Sequence, residues 1–257
     1  MSPTEQSDCP NRPAKGVDLF TRYRLALFCN ILSTHCRTSI SGALVMTHNR
    51  GFPFILIAVA MLTTIAPVHA QPRPSDTEIA ALLRAGGHVI VIRHGATHPD
   101  QADTDPLNTD NIAKQRQLNP KGEEAAKALG TAFKQIGVPV GKVTTSQFNR
   151  AYQTAKLAGF DNVEKSVDVT EGGQVVSPNE NNRRTAAFRK LASSPPPAGT
   201  NVVIVSHKPN IIDAFGKDWF EVKEGETTIF KPDGSTYKVV ARVLMEEWSR
   251  IAEAAKK

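Results

Sequence analysis

A chain of 257 residues with a formal net charge of +6 and no internal repeat holds one or at most two domains. Half of the basic excess falls in residues 1–70, and no block of like charge interleaved with aromatics follows, so no nucleic acid partner is expected. The three cysteines, Cys9, Cys29 and Cys36, all precede Gln71. Beyond that point neither a disulfide framework nor a structural zinc site is expected.

Met46-Thr47-His48-Asn49-Arg50 is a short basic start, and the apolar run Phe54 to Ala66 follows it. Pro67-Val68-His69-Ala70 then supplies small residues, with Val68 and Ala70 in the cleavage positions. This is the three-part pattern of a secretory signal peptide cut after Ala70. The apolar run falls short of the roughly 20 residues that span a bilayer, so no stable membrane anchor is expected after cleavage. Residues 1–45 show no clear periodicity and read as disordered, or as an over-extended gene start with Met46 as the initiator. Residues 46–70 are then the signal peptide, and residues 71–257 the folded domain of a secreted or periplasmic protein.

Ser75-Asp76-Thr77-Glu78 opens a short helix to Ala85, with Ser75 as cap and Glu78 three residues on. Gly86-Gly87 ends it. His88-Val89-Ile90-Val91-Ile92 is a β-branched apolar run that predicts a buried strand, broken at once by Arg93-His94-Gly95. The polar connection Ala96 to Leu118 is long enough to suggest a functional lid. Asn119-Pro120 starts a long helix with apolar spacing to Ile136, ended by Gly137. Lys142 to Thr145 predicts a strand, Ala151 to Ala158 a helix and Val163 to Val169 a further strand. Asn179 to Ser193 predicts a helix with Ala186, Phe188 and Leu191 as apolar contacts, and Pro195-Pro196-Pro197 follows it. Asn201 to Val205 predicts a buried strand running into Ser206-His207, and Pro209 to Phe215 a short helix. Thr227 to Phe230 and Tyr237 to Val243 flank Pro232-Asp233-Gly234 as a hairpin, and Met245 to Lys257 closes the chain as a helix. Strands alternating with helices predict a three-layer α/β sandwich, its mostly parallel central sheet flanked by helices.

In such sheets ligands bind beyond the carboxyl ends of the strands. If the strands ending near Arg93, Thr145 and Val205 are neighbours, Arg93, His94, Arg150 and His207 converge on one pocket. Two guanidiniums and two imidazoles around one point call for an anion, and a phosphoryl group offers enough oxygens to satisfy them.

Arg93-His94-Gly95, the segment Ser146-Gln147-Phe148-Asn149-Arg150-Ala151-Tyr152-Gln153-Thr154-Ala155 and Val205-Ser206-His207 resemble, in that order, the histidine phosphatase superfamily (phosphoglycerate mutase-like). The resemblance spans roughly Gly87 to Ile212. It implies a phosphoglycerate mutase-like fold and a phosphatase acting on a phosphorylated small molecule or phosphoprotein, with no cofactor and no metal. His94 would be the nucleophile, forming a phosphohistidine that water hydrolyses. Arg93, Arg150 and His207 would hold the phosphoryl oxygens, and Thr97 sits where the family often has a hydroxyl on the phosphate. Family members related to acid phosphatases place an Asp directly after the second His, where this chain has Lys208. Mutase-like members take a Glu from beyond the strand that follows the second Arg. Glu171 is the best positional match, with Glu180 as runner-up and Asp103 and Asp105 as further candidates. Two other readings share the pocket: a phospholigand-binding module without turnover, motivated by Lys208, and a phosphoglycerate mutase.

Overall fold

The computed structural model describes residues 73–173 and 175–256. The signal-peptide segment, residues 1–45 and the three cysteines lie outside the described residues. Among the described residues, twelve α-helices and β-strands follow in order: α1 (Asp76–Ala85), β1 (Val89–Arg93), α2 (Pro120–Ile136), β2 (Val140–Thr145), α3 (Asn149–Leu157), β3 (Val163–Lys165), α4 (Pro178–Ser193), β4 (Asn201–Ser206), α5 (Lys208–Phe215), β5 (Thr227–Asp233), β6 (Thr236–Val243) and α6 (Trp248–Ala254).

The six strands form one sheet in the order β3-β2-β4-β1-β5-β6. The first four are parallel, whereas β5 runs antiparallel to β1 and β6 antiparallel to β5. The antiparallel edge follows from the hairpin, because a tight turn can join only antiparallel strands. Asp233 pairs with Thr236, so the turn is Gly234-Ser235, and Gly234 adopts φ 66° without the penalty a Cβ would bring. Strand β5 therefore runs three residues further than the expected Phe230.

Alternation along β1 divides the core. Ile90 and Ile92 pack with Leu83, Leu129, Phe133 and Trp248 on one face. Val89 and Val91 pack with Phe188, Ile211, Trp219 and Phe230 on the other. Helices α1, α2, α3 and α6 cover the first face, and α4 and α5 the second, giving the expected three layers.

Local chemistry accounts for the helix boundaries. Ser75 and Glu78 close a reciprocal capping box on α1. Asn119 accepts the Gly122 N–H, with Pro120 in the first turn of α2. Ser177 caps α4 with Pro178 beside it, so that helix starts one residue earlier than its apolar spacing suggests. Three expectations are corrected. The segment Val163–Val169 is not one strand: β3 stops at Lys165, where the Ser166 hydroxyl accepts the Asp168 N–H and turns Val167–Val169 into a 3-10 helix. Ala186 is exposed and joins neither core cluster, whereas Phe188 is buried and Leu191 packs at the edge of the second. The closing segment begins as a 3-10 turn, Met245–Glu247, before α6.

One glycine fixes the distance between α2 and the end of β1. A Cβ on Gly122 would stand 2.1 Å from the Ala96 carbonyl oxygen and 2.7 Å from its nitrogen. Backbone on both sides leaves no side chain to yield, so Gly122→Ala must push α2 off the turn that carries His94. Overpacking of this kind costs about 1–3 kcal/mol. Thermal unfolding is expected several degrees lower in that variant, with an unchanged melting curve as the contrary result.

Candidate active site

Strand β4 lies between β2 and β1, which brings three carboxyl ends side by side. The register pairs Arg93 with Ser206 and Thr145 with Val205. The next residues, His94 and His207, therefore emerge together. The His94 N–H donates to the Ser206 carbonyl at 3.0 Å, and the two imidazole centroids are 5.1 Å apart. Both rings are almost fully buried.

Arg150 comes from the first turn of α3, which starts two residues earlier than its apolar spacing suggests. Its guanidinium carbon lies 4.5 Å above the Phe148 ring, and Phe148 in turn stands edge-on to His207 at 5.5 Å. Thr154, one turn further along α3, joins this helix to the turn that follows β1. Its hydroxyl donates to the Arg150 carbonyl at 2.7 Å and accepts the Gly95 N–H at 3.0 Å.

A completely buried guanidinium needs compensation. Asp103 supplies one partner at 3.0 Å and Glu171 the other. Glu171 follows the 3-10 turn, which is pinned on two sides. The Ser206 hydroxyl donates to the Val169 carbonyl at 2.8 Å, and the Thr170 hydroxyl accepts the Gln147 N–H at 2.9 Å. That places a Glu171 oxygen 3.5 Å from His207 Nδ1.

Arg93 donates to the Val222 carbonyl at 2.8 Å and lies 3.6 Å from Glu224. Thr97 donates to the same Glu224 carboxylate at 3.0 Å, so its hydroxyl is brought to the rim of the site but engaged by protein. The Gly225 N–H is shared between the Arg93 and His94 carbonyls, at 3.0 and 2.9 Å. This ties the segment after α5 to the end of β1.

The hydrogen bond from His94 to the Gly95 carbonyl, 2.8 Å from Nδ1, fixes the tautomer. A carbonyl can only accept, so Nδ1 carries the proton and Nε2 keeps its lone pair. Burial, reinforced by the positive charge of Arg150, holds His94 well below the usual imidazole range. His207 is lowered in the same way, by burial and then Arg150, and neither of its ring nitrogens has a hydrogen-bond partner among the described residues. Glu171 moves the opposite way. Burial raises its pKa, and the lowering influence of Arg150 does not cancel that.

The other carboxylates are placed differently. Glu180 sits in the first turn of α4 and is ion-paired with Arg183 and Arg184 at 2.8 and 2.9 Å. Its bonds to those guanidiniums hold it down to about 2, the wrong direction for a proton donor at neutral pH. Asp105 accepts from Asn111. Asp103 accepts from the Arg116 N–H as well as from Arg150. Lys208 opens α5 with its ammonium 4.9 Å above the Phe220 ring.

Sequence reasoning missed Arg116, Thr154 and Glu224. The Arg116 charge reaches both imidazoles and Glu171, and its Nε is buried without a partner among the described residues. Nothing in the mixed polar run before Leu118 says that this guanidinium turns inward. Thr154 lies inside a quoted motif, but as a mid-helix residue it carries no signal of its own. Among the described residues, no group of three or more His, Cys, Asp and Glu could hold a metal ion.

The arrangement provides an unprotonated imidazole nitrogen, three guanidiniums around it and a carboxyl with a raised pKa. That set suits in-line displacement at a phosphoryl centre. No curated protein matches the sequence. Solved structures align at low identity. The protein histidine phosphatase SixA complexed with tungstate shares 18% identity at TM-score 0.45, covering 62% of this chain and 98% of its own. A phosphoserine phosphatase variant from Entamoeba histolytica in complex with phosphoserine shares 16% at TM-score 0.42, covering 62% and 98%. YhfR of Bacillus stearothermophilus shares 19% at TM-score 0.40, covering 60% and 95%. Residues 89–172, which run from the start of β1 through Arg150 to just past Glu171, match the histidine phosphatase superfamily (branch 1).

Proposed function

We propose that the protein is a secreted or periplasmic phosphomonoesterase that works through a phosphohistidine on His94. The observation that carries this reading is the His94 ring. Its Nδ1 is committed to the Gly95 carbonyl and its Nε2 lone pair is free, beside Arg93 and Arg150. A phosphoryl dianion entering the site takes its hydrogen bonds from Arg150, Arg93 and His207. Arg150 then exchanges a carboxylate partner for phosphoryl oxygens. Glu171, released from the guanidinium and placed near a dianion, holds its proton more tightly still.

In the first step His94 Nε2 attacks phosphorus, the ester P–O bond breaks, and Glu171 gives its proton to the departing oxygen. In the second, water attacks the phosphohistidine, the P–N bond breaks, and the Glu171 carboxylate takes the proton from water. The binding-module reading drew on Lys208, and Glu171 supplies a carboxyl from another element. The pattern of residues 46–70 supports export, and no helix among the described residues is long and apolar enough to cross a membrane.

The protein recovered after export is expected to begin at Gln71 and to hydrolyse phenyl phosphate, with the rate unchanged by EDTA. Phosphate binding without turnover of any phosphomonoester would favour the binding module. An unprocessed N-terminus would remove the export part of the proposal alone.

A further inference from the structure

A cavity of about 300 Å³ opens beside Glu171, between the loop that follows His94 and the segment that follows β3. Asp103 and Glu171 border it on the side of Arg150. Of its polar side chains, Arg184 and Thr170 are already engaged by protein, whereas Thr109 and Gln147 make no side-chain hydrogen bond among the described residues. Arg184 bonds Glu180 at 2.9 Å and the Thr170 carbonyl at 3.2 Å, and the Thr170 hydroxyl donates to the Ser166 carbonyl at 2.7 Å. Pro106, Leu107, Phe148, Val175 and Val176 supply apolar surface.

Leu107 is 76% exposed and Val175 46%. Scattered singly, such residues need no explanation. Here two separate loops bring them to one cavity next to a carboxyl of raised pKa. The leaving oxygen must lie within hydrogen-bond reach of the group that protonates it, so whatever is attached to that oxygen extends from Glu171 into this space.

We infer that this cavity seats the leaving group and selects phosphomonoesters whose leaving group is an apolar body, such as an aryl ring with a short alkyl chain. The inference rests on the site being a phosphomonoesterase with Glu171 as proton donor. Beyond the two carboxylates, a sugar's hydroxyls would find unengaged side-chain partners among the described residues in Thr109 and Gln147 alone, whereas an apolar group removes Leu107 and Val175 from water and packs on Pro106, Phe148 and Val176.

The test compares kcat/KM for phenyl phosphate and 4-butylphenyl phosphate, whose leaving groups differ little in acidity, and for glucose 6-phosphate. Burying the butyl chain is expected to raise kcat/KM about tenfold or more over phenyl phosphate. Leu107→Asp and Val175→Asp are expected to bring that ratio towards one, whereas Val239→Thr on the far edge strand leaves it as in the wild type. Equal rates for the two aryl esters, a ratio indifferent to both Asp variants, or preference for the sugar phosphate would overturn the inference. If phenyl phosphate is not hydrolysed at all, the phosphatase reading fails by itself. Binding of 4-butylphenol, followed through the methyl resonances of Leu107, Val175 and Val176, then decides the cavity separately: shifts at those methyls uphold an apolar site, and their absence rejects it.

Discussion

His94→Ala is expected to lower kcat for phenyl phosphate by roughly 10⁴- to 10⁶-fold, the scale on which removal of a covalent nucleophile is felt. The fold should survive. The ring's bond to the Gly95 carbonyl is lost, but the His94 N–H to Ser206 and its carbonyl to Gly225 hold the end of β1 through backbone and do not depend on the ring. Phosphate affinity should fall much less than kcat, because Arg93, Arg150 and His207 remain. Circular dichroism and a phosphate-binding isotherm alongside the kinetics separate loss of chemistry from loss of fold. A variant that keeps even about a hundredth of the rate would point to a nucleophile other than this imidazole.

Glu171→Gln carries the second large effect and its own pH signature. The amide keeps the shape of the side chain but cannot give up a proton, and loss of a general acid costs about 10²- to 10⁴-fold. The loss depends on the leaving group. An alkyl phosphate needs protonation of its departing oxygen and should suffer most, whereas 4-nitrophenyl phosphate leaves readily as an anion and should suffer least. In the wild type, kcat/KM should fall on the alkaline side as Glu171 ionises. Because burial raises that pKa, the protonated acid persists to higher pH than an ordinary carboxyl would. The acid limb belongs to His94. Its pKa is lowered, so Nε2 stays unprotonated as pH falls through the ordinary imidazole range, and activity should hold there. In Glu171→Gln the alkaline limb is expected to disappear while the acid limb stays. Persistence of the alkaline limb would assign it to another group, and Asp103, the other carboxylate on Arg150, would be the next to replace.

Much of this was legible in the sequence because it depended on local signals. The run Val89–Ile92 is buried on both faces and reads as a central strand wherever it is found, and Ser75 and Asn119 announce helix starts through their own side chains. The convergence of Arg93, Arg150 and His207 followed from the rule that such sheets bind at their carboxyl edges, once β2, β4 and β1 proved to be neighbours. Two kinds of feature were not legible. Ser166 ends β3 through a bond to a backbone N–H two residues on, and apolar pattern alone carries no trace of that choice. Arg116 and Glu224 reach the site from irregular loops, where no periodicity tells which way a side chain turns. Position in the chain put Glu171 ahead of Glu180, but the surroundings of the two show only in three dimensions. Both are Glu residues beyond β3, and only the geometry gives one a buried place beside Arg150 and His207 and the other two surface arginines.

The central claim is that phosphorus becomes bonded to His94 Nε2. Brief reaction with a ³²P-labelled phosphomonoester, followed by rapid quenching, is expected to leave label on the native protein that is lost in acid and stable in base, with the modified peptide containing His94. The label should accumulate more slowly in Glu171→Gln with a poor leaving group and be absent from His94→Ala. Label on another residue, or full turnover with no labelled protein at any quench time, would contradict the account.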